Sequence, residues 1–509
     1  MNCQYILAHD LGTTGNKATL FASDGTVVAS TFVGYETDYP QPNWVEQDPA
    51  DWREALFGAT RRLLSESGVN PGEVAVVSFS GHMNGALVVD AAGVPLRPAI
   101  IWADQRATDQ ECFIRDRCGN DETYRVTGNR VSPAYTAAKL LWIKDNQPEV
   151  FGRIHKVLQA KDYAAFLFCG VLATDYSDAS MTQLLDLEEL TWSGDLLDRL
   201  ELDELLLPEL HTSATVIGEV TVEAASATGL RAGTPVVIGG GDGACASVGA
   251  GSVRDGEVYN YIGSSSWVAL TTDKPVLDPL QRTFNFVHLD PSLYGALGTT
   301  QTAGGAYDWF ERLVRVNAEQ YPQYATLDGL AAGVPPGSQG LLFLPYLLGE
   351  RSPHWNPLAR GAFVGLAMSH GRPELARSVL EGVAFNLRHI LDVLRVQGVA
   401  IPEMRLIGGG AKSKLWRQIL ADVYALPVVQ LQLPAQATSL GAAVAGGIGV
   451  GLFPDYTVVQ DLAPAISRVY PDPDAVAIYE GLFPLFKKTY CLLEPVFQEL
   501  ATFARQAIE

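Results

Sequence analysis

The stretch Tyr5-Ile6-Leu7-Ala8-His9-Asp10-Leu11-Gly12-Thr13-Thr14-Gly15 drives an apolar strand into a glycine loop that carries one aspartate. A second stretch, Pro235-Val236-Val237-Ile238-Gly239-Gly240-Gly241-Asp242-Gly243-Ala244, does the same in mid-chain. An apolar run bounded by glycines reads as an interior strand, because both faces are covered and no polar alternation is needed. A glycine turn at its end lets backbone N–H groups approach an anion with no Cβ in the way. An aspartate there repels a phosphate unless it binds a metal ion or takes up a proton, and phosphoryl transfer uses both. The two stretches together predict an ATP-dependent kinase.

At 509 residues the chain exceeds what one hydrophobic core supports, so two large domains are expected. Hydrophobic residues at 47% and charged ones at 18% mark an ordered globular chain rather than a disordered one. With 36 basic against 57 acidic residues the net charge is −21. Such a field repels nucleic acid and anionic membranes, so neither is an expected partner. An anionic cosubstrate such as ATP then needs a local glycine-rich or metal-bearing site. Cys3, Cys112, Cys118, Cys169, Cys245 and Cys491 form no CxxC pair and have no neighbouring histidine set. Neither a zinc site nor a disulfide framework follows, and the expected compartment is a reducing cytoplasm. The first strand starts so close to Met1 that no room is left for a signal peptide. The uncharged stretch from Val428 to Pro454 is broken by Pro434, three glutamines and five glycines. It reads as a strand, a loop and a tightly packed helix rather than a membrane span.

The first 35 residues alternate strand and turn: Ile6–Asp10, Lys17–Phe21, a hairpin turn at Asp24-Gly25, then Thr26–Ser30. Asp48-Pro49 opens a helix through Trp52, Leu56 and Leu63, with Asp48 as its N-cap. Strands follow at Val74–Phe79 and Ala99–Trp102, with a turn at Asp90–Gly93 between them. The second half repeats the pattern. Glu257–Ile262 ends in Gly263-Ser264-Ser265-Ser266, Trp267–Thr271 continues, and Arg405–Ile407 runs through Gly408-Gly409-Gly410 into a helix from about Lys414 to Tyr424. Like units opening both halves predict an internal duplication, with a linker near Gly249–Gly256.

These segments resemble the FGGY carbohydrate kinases. The resemblance rests on Asp10-Leu11-Gly12-Thr13-Thr14-Gly15, Gly239–Gly251, Gly263-Ser264-Ser265, Gly349-Glu350-Arg351-Ser352-Pro353-His354-Trp355 and Gly408-Gly409-Gly410-Ala411-Lys412-Ser413. They stand in the family's order and spacing over essentially the whole chain. The resemblance implies an α/β fold of two domains, each with an actin-like (ribonuclease H-like) core, and a ligand cleft between them. Residues 1–250 would bind sugar and supply the base, and residues 255–509 would bind nucleotide. The xylulokinase branch is nearest in pattern, through Val45-Glu46-Gln47-Asp48-Pro49, Trp102-Ala103-Asp104-Gln105-Arg106, Lys139-Leu140-Leu141-Trp142 and Ala173–Ser180. Two positions depart from it. Met83-Asn84 stands where Met-His is usual, and Gly243 where an asparagine usually follows the catalytic aspartate. Both belong to the sugar pocket. D-xylulose is the expected acceptor, with gluconate, a polyol or another ketose as the alternative. The oligomeric state is left open, with a homodimer as one outcome.

Each site residue has a plainer reading beside the functional one. Asp242 is either the N-cap of the helix that follows or the general base that takes the hydroxyl proton; the resemblance implies the base. Asp10 is a turn aspartate, or by resemblance the residue that positions Mg²⁺ through water. Gly12, Thr13, Thr14, Gly263, Ser264 and Ser265 are two β-turns or, facing each other, a clamp on the ATP phosphates. Gly409, Gly410 and Ser413 are an ordinary strand-to-helix turn or, with Gly304, the seat of adenine and ribose. Trp102, Asp104 and Arg106 suit a sugar wall, although Asp104 and Arg106 could form an ion pair. Met83 and Asn84 sit on a loop that by resemblance touches sugar. Gly239-x-Gly241-x-x-Ala244 matches a relaxed dinucleotide fingerprint and keeps an NAD enzyme as a second class, although Asp242 would face the pyrophosphate. A non-catalytic actin-like ATPase is a third class. No Gly-x-x-x-x-Gly-Lys-[Ser/Thr] run occurs, which excludes a P-loop kinase.

Overall fold

The computed structural model describes residues 4–315, 324–396 and 398–506, so Cys3 lies outside the described residues. Two seven-stranded mixed sheets organise the chain. In the first, Tyr5–Gly12 and Gly15–Ala22 form an antiparallel hairpin extended by Val27–Gly34. On its other side Tyr5–Gly12 runs parallel to Val74–Gly81, which pairs in parallel with Pro235–Val237 and Gly240–Gly241. In the second, Val258–Ile262 and Ser266–Thr272 form the hairpin, extended by Tyr294–Thr300 and Phe284–Val287. Val258–Ile262 then runs parallel to Met404–Ile407, and that strand to Val428–Leu431. Both sheets therefore share three antiparallel strands beside two parallel ones in the same spatial order, and the second adds Phe284–Val287 as a fourth antiparallel strand. This is the duplicated actin-like core, and the expected internal repeat is borne out at the level of topology.

Local signals act as the sequence predicts. Asp48 caps the helix Pro49–Ser67 by accepting the Ala50 N–H at 2.9 Å, and Gly68 ends it at φ 66°. That helix buries Trp52, Leu56 and Leu63 against the first sheet, each apolar side chain contributing about 1.5–3 kcal/mol. The strand expected over Ala99–Trp102 is only Ala99–Ile100, because the Trp102 indole turns away to donate to Thr13 Oγ1 at 2.9 Å. Val428–Pro454 divides into the strand Val428–Leu431 and the helix Ala437–Gly449. No helix of the described residues is long and apolar enough to cross a membrane. Cys112, Cys118, Cys169, Cys245 and Cys491 are free thiols.

One helix crosses from the second half of the sequence to the first half of the fold. Ala437–Gly449 lays Gly446 beside Ser78, Val76 and Ile6 of the first sheet. It also meets the helix Asp242–Gly249 closely. A Cβ on Gly441 would stand 2.0 Å from the Cys245 carbonyl oxygen, and one on Gly249 would stand 1.7 Å from that of Ala437. Only glycine allows backbones this near. These two helices join the halves behind the cleft.

Candidate active site

The ends of the two central hairpins open on one cavity of about 310 Å³. The first half contributes Asp10, Gly12, Thr13, His82, Met83, Asn84, Trp102, Asp242 and Gly243 to its wall. The second contributes Tyr261, Ser265, Trp267, Phe284, Phe286, Thr299, Gln301 and Arg351, among others. Residues far apart in sequence thus share one concave site, mostly apolar with a few convergent polar groups, the usual make-up of a small-molecule pocket.

Asp10 sits near the end of Tyr5–Gly12, opposite Lys17 in the hairpin and beside Ser80 in the parallel neighbour. Burial raises its pKa, and the Lys17 charge opposes that rise. Asp242 is the first residue of its helix, whose N-cap is Gly241, and no side-chain cap bond is made. The capping reading of Asp242 therefore fails. Burial, reinforced by the neighbouring Asp10 charge, pushes the Asp242 carboxyl up to about 7. Two carboxylates with unequal environments thus face one cavity.

On the expected sugar side, Asn84 adopts a left-handed φ of 65°, and the Lys139 ammonium holds its carbonyl at 2.6 Å. Burial lowers that lysine to about 7. The side-chain oxygen of Asn84, both ring nitrogens of His82 and the Thr299 hydroxyl are buried with no hydrogen-bond partner in the protein. Burial also lowers His82 to about 4, so its ring is neutral near pH 7. Unpartnered polar atoms in a pocket wall are costly unless a ligand or water completes them.

Asp104 and Arg106 are the correction. Neither lines the cavity. Asp104 is wholly buried and accepts the Val45 N–H at 2.6 Å and the Arg106 guanidinium at 2.7–3.0 Å. Arg106 also pairs with Glu46 at 2.7 Å and lies 3.9 Å over the Trp44 ring. The short strand ends before them, so both turn into the protein and brace the loop that carries Trp102. The ion-pair reading holds for them, in a buried form.

The nucleotide candidates divide. Gly12, Thr13 and Ser265 line the cavity, whereas Thr14 and Ser264 are exposed at their loop tips. The Gly263–Ser265 turn seats the helix Gly304–Val314, since Gly304 N–H donates to Gly263 O and Gly305 N–H to Ser264 O, both at 2.9 Å. A Cβ on Gly304 would lie 2.4 Å from Gly263 O. Gly410 packs on Ile262, while Gly409 has nothing within 4 Å of where a Cβ would be. These residues form one continuous patch beside the cavity rather than in its wall. The Ser413 hydroxyl accepts the Trp416 N–H at 3.1 Å and donates to Asp328 at 2.6 Å, so it is engaged within the protein as a helix cap.

Several wall residues escaped the sequence. Tyr261 and Trp267 stack at 4.0 Å and 13°, and Trp267 donates to the Tyr259 hydroxyl at 3.0 Å. That hydroxyl in turn donates to Gly243 O at 3.0 Å, next to Asp242. Arg351 lies 5.3 Å from the Phe284 and Trp355 ring centres and pairs with no carboxylate among the described residues. The Gly349–Trp355 motif was the only sequence signal for it, and nothing in the sequence singled out Tyr261 or Trp267 for the wall.

Two actin-like halves that close glycine turns and paired carboxylates around one cavity define an ATP-type phosphotransferase acting on an alcohol. The chain belongs to the FGGY family of carbohydrate kinases: the family's N-terminal domain matches residues 5–249 and its C-terminal domain residues 258–450. It is 32% identical to the xylulose kinase of Bacillus subtilis (strain 168) over 99% of this chain and 100% of that one. The ligand-bound xylulose kinase and the gluconate kinase of Lactobacillus acidophilus each superpose with a TM-score of 0.91 at 30% identity. Both comparisons cover 98% of this chain and 100% of the other.

Proposed function

We propose that this chain transfers the γ-phosphoryl group of MgATP to the primary hydroxyl of D-xylulose, giving D-xylulose 5-phosphate and ADP. The carrying observation is the pair Asp10 and Asp242 in one cavity, with the Asp242 carboxyl raised to about 7. As a carboxylate, Asp242 accepts the hydroxyl proton while the new O–P bond forms and the bond to the departing ADP oxygen breaks. A base of near-neutral pKa suits that task, since it is half deprotonated yet still basic enough to hold the proton. The relatives named xylulose kinase support the choice of sugar.

Met83, Asn84 and Trp102 contact the sugar in this reading. The turns Gly12, Thr13, Thr14 and Gly263, Ser264, Ser265 face the phosphates, with the hydroxyls of Thr13, Thr14, Ser264 and Ser265 as donors. Gly409, open where a Cβ would stand, leaves room for adenine and ribose, while Gly304 and Gly410 let the surrounding turns pack closely and Ser413 holds their turn. Among the described residues no three acidic, histidine or cysteine side chains gather as a metal site. Two carboxylates, Asp10 with Asp242 nearby, fit an ion that keeps several waters, as Mg²⁺ does. When bound it neutralises charge on the phosphates. Residues 1–250 and 255–509 act as the sugar and nucleotide domains, closing to exclude water. In this reading the enzyme works in the cytoplasm, with a homodimer as one outcome for its assembly.

A second reading, gluconate as acceptor, is favoured by Arg351, whose unpaired guanidinium lines the cavity and suits a carboxylate. Gly243 also leaves space there. The nearest atoms to a Cβ at that position lie 3.7 Å away. Coupled ADP release with D-xylulose, polyols and gluconate decides between them. Release with D-xylulose is expected, and release with gluconate alone overturns the sugar while keeping the chemistry.

A further inference from the structure

Behind the segment that ends in Asp242 lies a charged network none of whose residues lines the cavity. Lys161 is fully buried and pairs with Asp162 at 2.5 Å, Asp175 at 2.9 Å and Asp178 at 3.2 Å. Burying one ammonium among three carboxylates is costly unless its geometry serves something else. Asp175 Oδ2 accepts the Ser177 hydroxyl at 2.6 Å, the Ser213 hydroxyl at 2.6 Å and the Ser177 N–H at 3.0 Å. With its proton committed to Asp175, the Ser177 hydroxyl turns a lone pair to Gly241, whose N–H it accepts at 2.9 Å. Ser213 O accepts the Gly239 N–H at 3.1 Å.

The backbone around this chain of bonds has no slack. Gly240 and Gly241 pair with Ser80 and Gly81 of the central strand. A Cβ on Gly240 would stand 2.2 Å from Leu289 and 2.9 Å from Ser177 Oγ, and one on Gly81 would stand 2.9 Å from the Lys161 backbone nitrogen. Gly239 takes φ 69° against Phe79 O. The peptide that leads into Asp242 is thus held by the strand on one side and by one hydroxyl on the other, which is oriented by one aspartate and balanced by one lysine.

We propose that Ser177, oriented by Asp175 and Lys161, is a positioning residue that aims the Asp242 carboxylate at the substrate hydroxyl. The proposal rests on Asp242 being the base. A merely structural network would lower stability, and any effect on rate would be independent of Asp242. A positioning network acts through Asp242 alone.

A double-mutant cycle on the full chain separates the two. Ser177→Ala, Asp242→Asn and the double variant are assayed with MgATP and D-xylulose, or with whichever acceptor the ADP-release screen identifies. Ser177→Ala is expected to lower kcat roughly ten- to hundredfold, the order of a small misplacement of a reacting group. The KM values for sugar and ATP should stay within about twofold, since no binding group is touched. In the Asp242→Asn background the same change should cost nothing more. An equal loss in both backgrounds, or native kcat in folded Ser177→Ala, overturns the proposal. Native turnover in Asp242→Asn overturns the base assignment as well and is a distinct result. Should Ser177→Ala fail to fold, Ser213→Ala, which removes one donor from Asp175, replaces it in the same cycle under the same criteria with a smaller effect.

Discussion

The two hairpins that meet at the cleft share a backbone and differ in the pair they hold across it. In the first, Asp10 stands opposite Lys17; in the second, Tyr261 stands opposite Trp267, with the rings stacked at 4.0 Å. The strand order around them is the same. The duplicated scaffold thus sets a cross-strand pair at the end of each hairpin, Asp10 of the first and both rings of the second lining the cavity, and the local sequence decides what they do. The charged pair bears a desolvation cost, seen in the raised Asp10 and lowered Lys17 pKa values. The aromatic pair has no such cost and gains about 0.5–1.5 kcal/mol beyond its buried area. Through Tyr259 it also reaches Gly243, beside the base of the other half. One hairpin manages charge, and the other supplies a rigid wall.

The sharpest way to break this division is at the charged side. Asp242→Asn keeps shape but cannot accept a proton, so turnover should fall by about two or more orders of magnitude. Calorimetry should show sugar affinity little changed, and near-native turnover would remove the base. Next is the wall. Trp267→Leu loses the stack and the bond to Tyr259, and should cost about tenfold in kcat/KM, near 1.4 kcal/mol. A loss equal to that of Asp242→Asn would show that the two hairpins are not specialised.

The pH profile follows in size. The Asp242 pKa of about 7 means that protonation removes the base as pH falls, so kcat/KM should decline about tenfold per unit below that value. The sign for stability is opposite. A carboxyl raised in the native state stabilises it fully below its ordinary value near 3.8, and that contribution is lost as pH rises through about 7. The acid limb should vanish in Asp242→Asn; a persistent limb assigns it elsewhere. The smallest effect concerns specificity. Asn84→His with Gly243→Asn should raise efficiency toward D-xylulose over gluconate several-fold, about 1 kcal/mol. The new Cβ at 243 meets only ordinary contacts. A loss of xylulose activity would mean that the native pair is already tuned to it.

Much of this molecule is legible in its sequence. Glycine turns after apolar strands located both hairpins, and Asp48 located a helix start, because those features depend on dihedral preferences and bonds a few residues long. Asp10 and Asp242 stood out for the same reason, as charges placed where the backbone turns. Trp102, Asp104 and Arg106 shared one short motif, yet only Trp102 faces the cavity. Local letters could not show that the strand would stop at Ile100 and send the other two inward to Glu46 and Trp44. Nor could they pair Tyr261 with Trp267 in front of the cavity, bring Arg351 to the same wall, or lay Ala437–Gly449 on the first sheet. By itself the sequence determined the strand-and-turn grammar, the duplication and the two aspartates, all of which follow from short-range backbone physics. Which side chains face the cavity, and which network stands behind Asp242, only the tertiary structure decided, because burial and partners are set by packing between segments tens to hundreds of residues apart.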